Sequence, residues 1–176
     1  WSLQEFNVAE GNPYLSSEDG VLFDKNKQVL LMYPAAKQGL TYTVPASVVY
    51  VADVAFLCNA ELTSIDFADD SVCVSVGASS FASIAALKTI TLPATLTNIG
   101  MSAFFGNTAL EKLVFLSEEM PAVAYCDSPW FQYQPESENP DQAAPAQFYS
   151  TFPSVSPEAR SVTYHPAPPD HPPVLP

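Results

Sequence analysis

The feature that most constrains this chain is an internal repeat. The stretch "VGASSFASIAAL", Val76 to Leu87, lies over "IGMSAFFGNTAL", Ile99 to Leu110, without a gap, and "VADVAFLCNAEL", Val51 to Leu62, matches both. In all three the next unit's Leu follows the Phe by six residues: Phe56 to Leu62, Phe81 to Leu87, Phe104 to Leu110. A second half-unit repeats in step, with Leu62-x-x-Ile65-x-Phe67, Leu87-x-x-Ile90-x-Leu92 and Leu110-x-x-Leu113-x-Phe115. "YTVP", Tyr42 to Pro45, joins the set when Gly39 takes the Leu position. Units then begin at Gly39, Leu62, Leu87 and Leu110, spaced by 23, 25 and 23 residues, the middle one carrying two extra residues near Ser71 to Cys73. Leu31-x-Tyr33-Pro34 and Leu3-x-x-Phe6-x-Val8 are fainter echoes of the strand half-unit. Between them, "DGVLFDKNKQVLLMYP" reads as two apolar β-forming runs joined by Asp24 to Lys27, which predicts a hairpin.

A period of 20–29 residues with a Leu-x-x-Leu-x-Leu core is that of a solenoid coil. Alternation at the end of each half-unit sends Ile90 and Leu92 to one face of a short strand and Thr89 and Thr91 to the other. Pro93 ends the strand by removing a ladder donor. Leu96 and Ile99 turn inward on the return path, and "SAFFGN" predicts a short helical turn that drops Phe104 into the core. No single coil can bury its apolar face alone. A stack can, by superimposing Phe56, Phe81 and Phe104 in one column and Tyr42, Ile65, Ile90 and Leu113 in another.

These residues resemble the BspA-like leucine-rich repeat family of bacterial surface and secreted proteins. The family pattern is met from Leu87 to Ala109 by Leu87, Ile90, Leu92, Pro93, Leu96, Ile99, Gly100, Ala103 and Phe104. Departures are Gly39 for Leu and Ala52 for Gly in the first unit, and Ala68 for Pro and Ser80 for Ala in the second. The resemblance covers about Asn12 to Phe115. It implies a leucine-rich repeat solenoid of the α/β type, a right-handed superhelix of short parallel strands and short helical turns. It also implies an extracytoplasmic role in contacting protein or glycan, and it brings no catalytic residues with it.

Composition narrows the function classes. The net charge is −13 with six basic residues, so phosphate backbones and anionic lipid are repelled and nucleic acid is not an expected partner. No apolar run approaches the ~20 residues of a membrane-spanning helix. Cys58, Cys73 and Cys126 are odd in number and lack CxxC spacing, which fits small buried residues better than a disulfide framework or a zinc site. His165 and His171 sit beside prolines near the end of the chain. No phosphate loop, nucleophile elbow or His-containing metal pattern occurs, so no enzyme, cofactor or metal is expected. The acidic pairs Glu18-Asp19, Asp69-Asp70 and Glu118-Glu119 fall in turn-like segments, and Asp66, Asp69 and Asp70 lack the spacing and glycine of a calcium loop.

After Ser117 the composition shifts, with 13 of the 17 prolines in the last 60 residues. Residues 1–117 are therefore read as the solenoid with its hairpin and 118–176 as a Pro- and aromatic-rich cap and tail. Trp130, Phe131, Tyr133, Phe148, Tyr149, Phe152 and Tyr164 are the aromatics that would close the last coil, since a solenoid end needs a cap. The chain starts at Trp1, and a leader is taken to have been removed.

The outward strand positions form two ladders, Thr41, Ser64, Thr89 and Lys112, and Thr43, Asp66, Thr91 and Val114. Thr41, Thr43, Ser64, Asp66, Thr89, Thr91 and Lys112 are the candidate partner-binding residues, on the presumed concave face. The expected function is a non-enzymatic secreted or cell-surface binding module; the alternative is a structural spacer or assembly segment of a larger bacterial envelope protein.

Overall fold

The computed structural model describes residues 2–117, 121–123 and 161–164. Successive turns of the chain stack so that each contributes one strand to each of two sheets. Sheet B collects the four-residue strands β4 (Thr41–Val44), β6 (Ser64–Phe67), β8 (Thr89–Leu92), β10 (Lys112–Phe115) and β12 (Ser161–Tyr164), in the order β12-β10-β8-β6-β4, all parallel. Sheet A collects the two-residue strands β5 (Tyr50–Val51), β7 (Ser75–Val76), β9 (Asn98–Ile99) and β11 (Ala122–Val123). It continues past β5 into β3 (Val29–Met32), β2 (Val21–Asp24) and β1 (Leu15–Glu18). A coil is one sheet B strand, a corner, one sheet A strand and a return segment, so the solenoid read from the repeat is the observed architecture.

Register follows the sequence alignment residue for residue. Tyr42 faces Ile65, Ile65 faces Ile90 and Ile90 faces Leu113. Val51, Val76 and Ile99 are likewise in step. Because equivalent residues superimpose, each inward column is continuous: Ile65, Ile90, Leu92, Phe56, Phe81, Leu62 and Leu87 are all fully buried. The Phe column is stacked, with ring centroids 5.1 Å apart from Phe56 to Phe81 and 5.8 Å from Phe81 to Phe104. Such burial is worth about 1.5–3 kcal/mol per large side chain.

The return segments are not the helical turns expected from "SAFFGN". Among the described residues there is no helix of any kind. Each segment is instead a run of overlapping β-turns, with Ala55 N–H donating to Ala52 C=O, Leu57 to Val54 and Asn59 to Phe56. The intervening amides leave the coil: Val54, Phe56 and Cys58 donate to the carbonyls of Ala78, Ser80 and Ala82, and Ser79, Phe81 and Ser83 to those of Met101, Ala103 and Phe105. An α-helix would claim every one of these donors for itself. Sharing them with the next coil needs a left-handed residue on either side of each Phe. Val54, Ser79 and Ser102 precede it with φ of 55°, 52° and 55°, and Cys58, Ser83 and Gly106 follow it with φ of 61°, 56° and 75°. Three hydrogen-bonded ladders therefore tie coil to coil around the whole perimeter.

Gly77 and Gly100 answer a steric need at the entry to this segment. A Cβ on Gly100 would collide with the backbone of Gly77 and Ala78, and one on Gly77 with Asp53. Only glycine lets the backbones approach so closely. Ser80 is a poorer fit. It is fully buried where the neighbouring coils have Ala55 and Ala103, and its hydroxyl has no hydrogen-bond partner. Ser80→Ala is expected to raise stability by about 1 kcal/mol, read as a higher denaturant midpoint, because it removes an unsatisfied buried hydroxyl. A lower midpoint would mean that the hydroxyl is held in a way this packing does not account for.

The predicted hairpin is β2–β3, antiparallel, its turn organised by Asp24 Oδ1, which accepts the N–H groups of Gln28 and Val29 at 2.7 Å each. It belongs to a three-stranded meander, since β1 pairs with β2 through the turn at Asp19 and Gly20, both at positive φ. Two echoes are corrected. Leu31-x-Tyr33-Pro34 is not a strand half-unit: β3 lies in sheet A, and Tyr33 stacks on Phe56 at 5.1 Å and heads the aromatic column. Leu3 to Val8 forms no strand; Leu3 C=O accepts from Ala36 and Phe6 N–H donates to Gly20. The cap expected over Glu118 to Tyr164, and with it Cys126 and both histidines, lies outside the described residues, apart from residues 121–123 and the strand 161–164.

Candidate binding face

The outward side of sheet B carries the candidate residues because a strand's side chains alternate. Thr41 pairs in register with Ser64, Ser64 with Thr89 and Thr89 with Lys112; Thr43 pairs with Asp66 and Thr91 with Val114. The first ladder is thus continuous from Thr41 to Lys112, at a spacing of about 4.8 Å per coil, and the second is assembled as two pairs, since β6 and β8 are paired at Ser64–Thr89 and Ile65–Ile90. Thr41, Thr43 and Lys112 are exposed, and Ser64, Asp66, Thr89 and Thr91 are half-buried by their neighbours on either side. Val114 departs from the expectation: it is outward by register but buried, with 6% exposure, so the second ladder ends in an apolar residue closed to solvent.

Polar order on this face is local. Ser64 Oγ donates to Asp66 Oδ2 at 3.0 Å, which fixes the one carboxylate of the ladders. Thr63 Oγ1 donates to the Leu40 carbonyl at 2.9 Å, so this hydroxyl is spent on joining coils rather than presented outward. The hydroxyls of Thr41, Thr43, Thr89 and Thr91 have no such role among the described contacts. Short hydroxyls on a rigid sheet can donate and accept with little ordering cost.

Other titratable groups read as structural. Burial pushes the Cys73 thiol up to about 11, so it stays protonated and un-nucleophilic near neutrality. Burial, then Asp19, pushes the Tyr33 phenol up to about 12; burial acts in the same direction on Tyr42, followed by Tyr33, Asp19 and Glu18. Tyr50 is raised by burial and then by its 3.0 Å hydrogen bond to Asp53, whose Oδ1 also accepts Ala78 N–H at 2.7 Å. Among the described residues no group of three or more His, Cys, Asp or Glu could hold a metal ion, and no helix is long and apolar enough to cross a membrane.

Two residues with a strong structural role escaped the sequence reading. Asn59 and Asn107 are fully buried, three residues after Phe56 and Phe104. Asn59 Nδ2 donates to the carbonyls of Pro34 and Ala35, and its Oδ1 accepts from Glu61 and Leu62. Asn107 Nδ2 donates to Phe81 C=O at 2.7 Å, and its Oδ1 accepts from Ile84 at 2.8 Å. The signal was present as Phe-x-x-Asn in two of three units; Ile84 at the middle position hid it.

Comparison with solved structures returns bacterial leucine-rich repeat proteins. One from Eubacterium ventriosum is 32% identical with a TM-score of 0.61, over 65% of this chain and 30% of that one. The pneumococcal vaccine antigen PcpA is 25% identical with a TM-score of 0.56, over 64% and 33%. A leucine-rich cell surface protein from Faecalibacterium prausnitzii is 25% identical with a TM-score of 0.54, over 62% and 28%. The match thus spans about a third or less of each of these proteins. No curated protein matches. The model of the BspA-type leucine-rich repeat region matches residues 38–131 in six copies, more than half of the sequence, and the chain belongs to that family.

Proposed function

We infer that the chain is a non-enzymatic binding module displayed outside the cytoplasm, secreted or on a cell surface, that holds a protein or glycan on the concave side expected of sheet B. The observation that carries this reading is the in-register row Thr41, Ser64, Thr89 and Lys112, flanked on the same strands by Thr43, Asp66 and Thr91. A stacked scaffold presents these groups at fixed spacing, so little conformational entropy is lost on binding. Similarity to a leucine-rich cell surface protein supports the location. The acidic balance, −13 over the chain, favours neutral or basic partners over anionic ones.

A screen against matrix proteins and glycans would supply the ligand. Against that ligand, the triple variant Asp66→Ala, Thr89→Ala, Thr91→Ala is expected to lose at least about tenfold in affinity, ~1.4 kcal/mol. Its melting transition should be close to that of the parent, since these side chains face outward. Unchanged affinity with the fold intact would remove this face from consideration.

A further inference from the structure

The outward face of sheet B carries charges of opposite sign that no described residue neutralises. Lys25, Lys27 and Lys37 are committed to the N-terminal end, where they meet the Glu10 carbonyl, Glu18 and Asp19. Lys88 and Lys112 are exposed and form no ion pair with any described residue. They are neighbours across coils, since the Lys88 carbonyl accepts the Lys112 N–H at 2.9 Å. Glu111 adjoins them and leaves the corner net positive. On a chain of net charge −13, an acidic group is repelled over most of the surface and drawn to this corner. The opposite charge is Asp66 on β6. Its Oδ2 is oriented by Ser64 Oγ at 3.0 Å, its Oδ1 has no described partner, and no described lysine reaches it.

The register sets the distance between these charges. Lys112 lies two strands from Ser64 in one row, and Asp66 lies two residues beyond Ser64 on β6. Strands about 4.8 Å apart and a rise of about 3.3 Å per residue put the Asp66 and Lys112 backbones about 12 Å apart. An extended chain covers that span in about three to four residues. Thr89 and Thr91 on β8 lie between the two charges.

No outward position of β4, β6, β8 or β10 is aromatic. The aromatic residues of these strands, Tyr42, Phe67 and Phe115, belong to the core. A sugar ring gains from an aromatic platform against its apolar face, and this face has none. An acidic sugar would satisfy the lysines and leave Asp66 opposed.

We propose that the ligand of this face is an extended peptide segment of a partner protein, lying across the strands. A basic side chain meets Asp66, and an acidic one three or four residues away meets Lys112 and Lys88. Thr89 and Thr91 serve the peptide backbone between them. The partner of the binding module inferred above is thereby narrowed from protein or glycan to a peptide of one charge pattern, which holds only if sheet B is the binding face. Exposed ion pairs are individually weak, so the spacing gives selectivity rather than tight binding, and many copies of the peptide are needed to read it.

Phage displaying random eight-residue peptides in many copies, selected on the immobilised 176-residue chain, tests this. Peptides with a Lys or Arg three or four residues from an Asp or Glu should be enriched at least about tenfold over the same residues at other spacings, and about 0.5 M salt should remove the enrichment. On Asp66→Lys the selection should favour two acidic residues; on the double variant Lys88→Glu, Lys112→Glu it should favour two basic ones. If Asp66→Lys melts early, Asp66→Asn replaces it and should lose the preference for a basic residue alone. Enrichment without a preferred spacing, or the same winning peptides on the charge-reversed variants, would overturn the proposal. So would a chain that enriches no peptide, and the triple variant described above then separates the two readings. A glycan that the triple variant no longer holds leaves sheet B as the binding face and removes only the peptide; a ligand held unchanged removes the face as well.

Discussion

Phe81→Ala should lower the unfolding free energy by about 3–5 kcal/mol, the cost of emptying a fully buried aromatic site. Phe81 has no solvent exposure and lies in the middle of the ring column, 5.1 Å from Phe56 and 5.8 Å from Phe104. Truncation withdraws contacts from both neighbours at once, and the cavity cannot collapse easily. The backbone on either side is pinned, because Phe81 N–H is bonded to Ala103 and the carbonyl of Ser80 to Phe56. Phe104 is only half-buried, so Phe104→Ala should cost less. Denaturant unfolding of the three proteins would check the order. Equal, small losses, under about 1 kcal/mol each, would mean that the column contributes little beyond ordinary surface burial.

Asn59→Leu is expected to cost about 3 kcal/mol or more although it keeps the number and branching of the side-chain heavy atoms. The side chain spends both its donor and its acceptor on backbone groups: the carbonyls of Pro34 and Ala35 on one side, the amides of Glu61 and Leu62 on the other. Leucine leaves the amides of Glu61 and Leu62 without partners, each costing roughly 1–3 kcal/mol, while the carbonyls of Pro34 and Ala35 keep the N–H groups of Lys37 and Ala60. The loss should also be local. The segment after β3 is tied to coil one through Asn59 and through the Ala60 N–H bond to Ala35, so hydrogen exchange should rise first at Ala60 to Leu62. A stability change within a few tenths of a kcal/mol would show that water replaces the amide at no cost, against the usual price of an unpaired buried group.

The parts of the fold that were legible in the sequence are those in which one residue type does one job per coil. Leu87, Ile90, Leu92 and Phe81 recur at fixed offsets, so the register of sheet B and the Phe column could be read by alignment. The outward ladders followed from strand alternation, with the exception of Val114, which is buried although its register points it outward. The return segment was misread because apolar spacing around "SAFFGN" suits a helix as well as a run of turns. What decides between them is the fate of alternate amides, and that is settled by the next coil 23–25 residues away. Left-handed Val54 shows how weak the local signal is, since a β-branched residue is among the least suited to that conformation. The β1–β2 turn has the opposite character: Asp19-Gly20 is a strong two-residue turn signal, but Leu15-Ser16-Ser17-Glu18 before it carries too few apolar residues to read as a strand. Tyr33 was assigned to the wrong half-unit because Tyr-Pro ends a strand in one reading and replaces the column Phe in the other.

The two surplus residues of the second coil have a consequence for where the molecule can vary. Seven steps along the chain separate Val44 from Val51 and Leu92 from Ile99, but nine separate Phe67 from Val76, and the register of both sheets is unchanged on either side. The slack of the winding is gathered at Ser71 to Cys73, directly after the exposed bend that carries Asp69 and Asp70, while the glycine contact and the asparagine clamp fix the length of the path elsewhere. That bend is therefore the natural port for a graft: foreign sequence spliced between Asp69 and Asp70 would hang outside the stack, whereas the same splice between Gly77 and Phe81 would throw every later winding out of step.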